Sequence, residues 1–200
     1  MRINALVVAV VLGLLAVEAD AHFVLVSPAA SLVQNRLGDP QKIAPCGGVS
    51  ANRGAPSGAV TEMKGGSSFH LLLIETVFHP GHYRVALART AANLPADPRV
   101  VTRDTERGPW SVSADIQSPV APPVLSDGLF AHAERPNGFF EADIAVPNVT
   151  CRNCVIQVIQ FMAEHAKNAD GDYSYHHCAN VNITADDTKP VDASWASILQ

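Results

Sequence analysis

The chain has 200 residues, 48% hydrophobic and 16% charged, so it can bury one sizeable core and is too apolar to be disordered throughout. Lysine and arginine number 14 against 19 acidic residues, a net charge of −5 that lacks the basic footprint of a nucleic-acid binder. The 13 glycines and 14 prolines are spread along the chain, which argues against long helices and for short strands joined by turns.

Arg2 precedes an apolar run at 5–17, and the run ends in Ala19-Asp20-Ala21, a small-x-small pattern that predicts a secretory signal peptide over 1–21. The run is short for a membrane span, and no later stretch approaches ~18 uninterrupted apolar residues. The processed protein is therefore expected to be secreted, extracellular or periplasmic, with no membrane span. Cleavage after Ala21 makes His22 the first residue, carrying both an α-amine and an imidazole. Cys46, Cys151, Cys154 and Cys178 all follow the cleavage point, and an even number in an exported protein reads as two disulfides.

From His22 the chain reads as one domain over 22–184, with no repeat and no linker. A short strand is predicted at 23–26, then a long loop through 58 that contains Gly38-Asp39-Pro40 and Pro45-Cys46-Gly47-Gly48. Residues 68–78 are apolar and β-branched and read as a strand, with His79-Pro80-Gly81 as a turn and 83–88 as the next strand, together a hairpin. The proline-rich stretch 95–127 reads as loops around one strand at 110–116, and 139–146 resumes a strand pattern. Residues 155–162 are predicted as a buried strand because β-branched residues dominate, against a competing helix that would continue through 163–167. A last strand over 173–184 and an irregular C-terminal arm over 185–200 complete the chain. Roughly eight strands predict an all-β fold, an immunoglobulin or fibronectin III-like β-sandwich with long loops.

The chemistry lies in the 8 histidines, all beyond the signal segment. An N-terminal histidine chelates a metal through its α-amine and near ring nitrogen, and only one more imidazole is then needed. Three nitrogens of this kind suit copper, whose divalent form prefers tetragonal nitrogen ligation and stands above zinc and nickel in affinity. The segment His79-Pro80-Gly81-His82-Tyr83 offers two candidates for the second imidazole, and the rigid entry of the turn favours His79 over His82. A zinc hydrolase or a serine nucleophile is disfavoured, since neither His-Glu-x-x-His nor Gly-x-Ser-x-Gly occurs. Asn148-Val149-Thr150 and Asn182-Ile183-Thr184 match the glycosylation acceptor pattern.

Over most of the processed chain the sequence resembles the lytic polysaccharide monooxygenases. Four features carry the resemblance: His22 directly after the signal, the His79-Pro80-Gly81-His82-Tyr83 segment, Cys154-Val155-Ile156-Gln157 leading into a strand, and Tyr175-His176-His177-Cys178-Ala179-Asn180-Val181. The resemblance implies that His22 and His79 hold one mononuclear copper ion and that Tyr175, three residues before Cys178, takes its axial position. It further implies that His165 and Gln160 stand beside the copper to orient bound oxygen species, with Gln157 the second choice for that glutamine. A pairing of Cys46 with Cys178 follows from it, leaving Cys151 with Cys154. The activity implied is oxidative cleavage of glycosidic bonds in chitin, cellulose or a related polymer, by a monomer that meets a polysaccharide surface and an external electron donor. Copper-acquisition proteins share the fold and the brace, so a non-catalytic copper-binding or carbohydrate-binding protein is the alternative. The sequence departs from cellulose-active members at Tyr173, where some carry glutamine, and in lacking a row of exposed aromatics. Alternation along the last strand sends His176 and His177 to opposite faces, so at most one can join the surroundings of Tyr175.

Overall fold

The structure, a computed structural model, describes residues 21–199; the signal-peptide reading falls on 1–21 and so, apart from Ala21, lies outside the described residues. Ten strands form among the described residues: β1 (His22–Ser27), β2 (Val60–Lys64), β3 (Ser68–Val77), β4 (Gly81–Ala88), β5 (Val100–Thr105), β6 (Gly108–Ala114), β7 (Val124–His132), β8 (Phe140–Ala145), β9 (Cys151–Met162) and β10 (Ser174–Thr184). A short helix, α1 (Ala193–Leu199), follows. One sheet has the order β1-β3-β8, the other β2-β10-β9-β4-β7, and β5 pairs with β6 as a separate ribbon. All pairings are antiparallel except β2 with β10. The fold is an all-β sandwich.

Strand parity builds the core. On β3, Phe69, Leu71 and Leu73 are buried while His70 between them is exposed, the period of two that puts alternate side chains on one face. They meet Val85 and Leu87 of β4, Ile156 and Val158 of β9, and Val181 and Ile183 of β10 in one cluster. The outer faces of β4, β9 and β10 are covered as well. Cys178 is bonded to Cys46, Gln157 donates to the Pro45 carbonyl at 2.9 Å, and Arg84 donates to the Ala96 carbonyl at 2.9 Å. Burial on both faces is why 155–162 shows an apolar run, broken only by Gln157 and Gln160, rather than alternation. The second disulfide joins Cys151 to Cys154.

Three expectations are corrected. The segments either side of His79-Pro80-Gly81 do not form a hairpin: β3 pairs with β1 and β8, whereas β4 pairs with β7 and β9. The turn residues specify a reversal but not a hydrogen-bonding partner, and here the chain crosses from one sheet to the other. Gly81 enters β4 so close to β9 that a Cβ would lie 1.9 Å from the Phe161 carbonyl oxygen, so only glycine fits. The region read as loops around a single strand holds three strands, and a further short strand, β2, lies in the unassigned stretch before β3. β7 escapes a period-two reading because Phe130 has a positive φ of 52° and its register against β4 shifts repeatedly. The C-terminal arm is not wholly irregular, since α1 packs Trp195 and Ala196 against the core and buries Leu199. The competing helix at 163–167 does not form: Glu164 has φ 55°, and Ser111 and the 164–165 backbone exchange hydrogen bonds instead. Among the described residues no helix is long and apolar enough to cross a membrane.

Candidate metal centre

The start of β1, the end of β3 with the turn after it, the end of β9 and the start of β10 meet at one end of the sandwich. His22 lies opposite Val77, and Gln160 lies opposite both Tyr175 and Tyr83 across β10, β9 and β4. His22 is 6% exposed, and its ring sits edge-on to Tyr175 with centroids 5.4 Å apart. Its Nε2 is 3.2 Å from Asp39 Oδ1, supplied by the long loop, so a chelate with the backbone nitrogen uses Nδ1 on the near side of the ring. In the described chain that backbone nitrogen is an amide acylated by Ala21 and becomes an amine only on cleavage. Tyr175 is fully buried, its hydroxyl 3.5 Å from Asn168 Oδ1, and Lys42 Nζ stands 5.9 Å above its ring.

His79 is buried in the turn between the sheets, with Nδ1 3.0 Å from the Ala163 carbonyl oxygen. A neutral imidazole donating Nδ1–H to that carbonyl carries its lone pair on Nε2, the orientation that a backbone carbonyl imposes on metal-ligating histidines. His165 lies against it edge-on, centroids 4.6 Å apart, and turns its own Nδ1 to the Ala166 carbonyl. Gln160 is fully buried and donates from Nε2 to Glu75 Oε1 at 2.7 Å, while its Oε1 takes no hydrogen bond among the described residues. Gln157 is on the other face of β9, holding the Pro45 carbonyl.

His82 has the parity of Arg84, on the outer face of the larger sheet, where its ring tilts against Phe161 at 5.2 Å. Burial lowers its pKa, partly opposed by the Asp127 charge and reinforced by Arg84 and His132. The histidine pair divides as alternation requires. His177 faces the core with Nε2 3.0 Å from the Phe23 carbonyl oxygen, and burial pushes it down to about 4 despite that bond. His176 faces outward, with Nε2 2.9 Å from both carboxylate oxygens of Asp97.

Sequence reasoning missed Glu75, Asp39, Lys42 and His132. Glu75 was detectable in principle, because it continues the buried parity of Phe69, Leu71 and Leu73 as a carboxylate in an apolar stripe. Its Oε1 receives the His79 backbone N–H at 3.3 Å and the Gln160 amide, and lies 3.1 Å from His132 Nε2. Burial pushes the His132 imidazole down, but its bonds to Glu75 and the Phe130 carbonyl and the Glu75 charge outweigh this and raise its pKa. Tyr83, buried beside them, is raised well above the ordinary phenol value by burial and by Glu75. A groove of about 590 Å³ adjoins His22 and is lined by Gln34, Asn35, Asp39, Lys42 and Asn52 among others. Among the described residues no three His, Cys, Asp or Glu side chains converge as a metal site. A site of two imidazoles and one amine does not require such a cluster.

No family model matches the chain, and no curated protein does. Among solved structures, a glycoside hydrolase family 61 member, Cel61B from Hypocrea jecorina, aligns with 86% of this chain and 73% of its own, at a TM-score of 0.43 and 15% identity.

Proposed function

We propose that the processed chain holds one copper ion between His22 and His79 and oxidatively cleaves glycosidic bonds of a polysaccharide. The observation that supports this reading is the orientation of the two imidazoles: Asp39 engages the far nitrogen of His22, and the Ala163 carbonyl engages Nδ1 of His79. Each contact falls on the ring nitrogen that a brace does not use, and each is the kind of outer partner that orients a ligand. Two imidazoles and an amine fit copper by donor type. Bound there, copper supplies one-electron chemistry toward oxygen or peroxide, with electrons from an external donor. The chain's own residues do the rest. His22 contributes both an amine and a ring, Tyr175 closes the buried side of the His22 ring, and His165 backs the His79 ring. Gln160 brings an acceptor oxygen, Oε1, that no protein donor occupies among the described residues.

Calorimetry with copper on the processed protein, and on a form extended by one residue ahead of His22, tests the brace. The extended form is expected to lose tight binding because its α-nitrogen is acylated, and equal affinity overturns the reading. Incubating the copper-loaded protein with chitin or cellulose and a reductant, then reading oxidised oligosaccharides by mass spectrometry, tests the activity. Tight copper binding without such products supports the non-catalytic reading. One observation favours that second reading: among the described residues Phe139 is the only aromatic in the set of exposed large hydrophobics, which provides no flat platform for a crystalline polymer.

A further inference from the structure

The buried carboxylate of Glu75 is an expensive feature in the middle of a sandwich. Its side chain is 1% exposed, it stands where parity calls for another leucine, and one of its oxygens, Oε2, takes no hydrogen bond among the described residues. A buried polar group of this kind costs free energy that packing alone gives no reason to accept. What the position does achieve is convergence. Oε1 ties together the backbone N–H of His79, the side-chain amide of Gln160 on β9 and the imidazole Nε2 of His132 on β7, so one oxygen joins both sheets at the turn that carries His79.

We propose that Glu75 is a positioning residue that locks the hydrogen-bond polarity of Gln160, so that Gln160 offers the site an acceptor and the group held there must be a hydrogen-bond donor. The physical reason is the asymmetry between an amide and a carboxylate. An amide has a donor end and an acceptor end of nearly the same shape and can flip, whereas a carboxylate only accepts. With Nε2 of Gln160 at 2.7 Å from Glu75 Oε1, a flip would set the amide oxygen against the carboxylate oxygen. The donor end is therefore committed to Glu75 and the acceptor end is the one left over, which agrees with Gln160 Oε1 being buried and taking no bond among the described residues. The same oxygen of Glu75 holds the His79 N–H, so the amide and the turn are set by one group. A glutamine at position 75 would keep the shape but could present either end, and the polarity of Gln160 would no longer be determined.

This inference rests on the copper reading for what the held donor does, a protonated oxygen species or a sugar hydroxyl beside the brace. The lock itself is a property of the metal-free chain. It is tested by nuclear magnetic resonance on the metal-free processed protein, comparing the wild type with Glu75→Gln and Glu75→Asp. In the wild type the Gln160 side-chain amide and the His79 backbone amide are expected to exchange slowly. In Glu75→Gln both are expected to exchange about tenfold or more faster, the loss of a hydrogen bond to a charged group. Glu75→Asp keeps an acceptor-only group and is expected to restore part of the protection. Copper electron paramagnetic resonance supplies the second readout, with a changed spectrum for Glu75→Gln and a spectrum closer to wild type for Glu75→Asp. Unchanged amide exchange and an unchanged spectrum in Glu75→Gln overturn the proposal, as does an equal loosening of all core amides by both substitutions. If Glu75→Gln does not fold, Gln160→Leu carries the test: it leaves the bond from His79 N–H to Glu75 in place and is expected to alter the copper spectrum without changing His79 exchange. An unaltered spectrum there overturns the proposal. A wild-type chain that binds no copper refutes the brace, and amide exchange then decides the lock by itself.

Discussion

The two ends of the sandwich treat buried polar groups in opposite ways. At the end away from the brace residues, the Asn148 side chain donates to the carbonyls of Asp186, Lys189 and Pro190 at 3.1, 3.0 and 2.9 Å and accepts the Asp186 N–H at 2.8 Å. Asp186 in turn takes the Thr188 hydroxyl at 2.6 Å and pairs with Lys64 at 3.0 Å. No side-chain atom of Asn148 or Asp186 is buried without a partner. At the brace end, Glu75 Oε2, Tyr83 Oη and Gln160 Oε1 are all buried and all lack one among the described residues. A closed polar knot does nothing but anchor, here the C-terminal arm against the strands. An open one keeps hydrogen-bonding capacity in reserve, which is where a ligand finds its contacts. The closed knot also takes Asn148 out of use as a glycosylation acceptor in the folded chain, because the residue is 3% exposed and the two N–H groups of the nitrogen that would be modified are shared among three carbonyls.

The sharpest way to break this contrast is at the open end. His79→Ala is expected to weaken copper binding by well over a hundredfold, more than the 10 to 100-fold that loss of an outer partner costs, and to remove one nitrogen from the copper's electron paramagnetic resonance spectrum. His82→Ala, on the opposite face of the larger sheet, is expected to leave the spectrum nearly unchanged. Reversal of the two results moves the ligand to His82.

The disulfides separate the long loop from the local strand geometry. Cys46 and Cys178 lie 132 residues apart in sequence, and removing that bond is expected to cost about 4 to 5 kcal/mol in denaturant unfolding. It also ties the loop that brings Asp39 to His22. Cys151 and Cys154 are separated by 3 residues, and their loss is expected to cost about 2 kcal/mol or less. Equal costs would contradict the chain-entropy account.

At the closed end, Asn148→Ala leaves three carbonyls and one N–H without their partner and is expected to destabilise by about 2 to 4 kcal/mol in thermal or denaturant unfolding, with copper affinity unchanged. A copper defect in that variant would erase the distinction between the ends.

The smallest expected effects are with pH. His82 and His177 are both lowered by burial, His177 to about 4, while the same imidazoles in the unfolded chain take up protons below about 6.5. Their contribution to stability is therefore fully present above that value and is lost as pH drops through the lowered folded values. Asp186 is held well below the ordinary carboxylate range by the Thr188 hydroxyl and by Lys64, so its contribution is present above about 4 and is lost only at stronger acid. Chemical denaturation at a series of pH values checks both, and His82→Gln is expected to shrink the milder step while leaving the His177 share of it and the acidic step.

Particular residues show how far the order of amino acids could be read. Apolar and β-branched residues marked β3 and β9, and alternation marked β10, because burial on one or both faces writes itself directly into composition. Opposite destinations for His176 and His177 followed from the same parity. The supposed hairpin at His79-Pro80-Gly81 was misjudged because Pro and Gly report a local change of direction and say nothing about which strand will supply the hydrogen bonds. β7 was missed because its positive φ at Phe130 and its shifting register break the pattern that betrays a strand.

The amino-acid sequence by itself determined the all-β class, the main strands, the placing of the histidine pair on opposite faces and the residue types from which a brace could be made, since these depend on local period and chemistry. Only the tertiary structure decided that β3 and β4 belong to different sheets, that Asp39 comes from a distant loop to meet His22, and that Glu75 ties His79 to Gln160. Those contacts join residues 17, 4 and 85 positions apart across separate strands and loops. Contacts of that kind are set by which faces pack together, a choice made collectively by the whole core and recorded in no single stretch of chain.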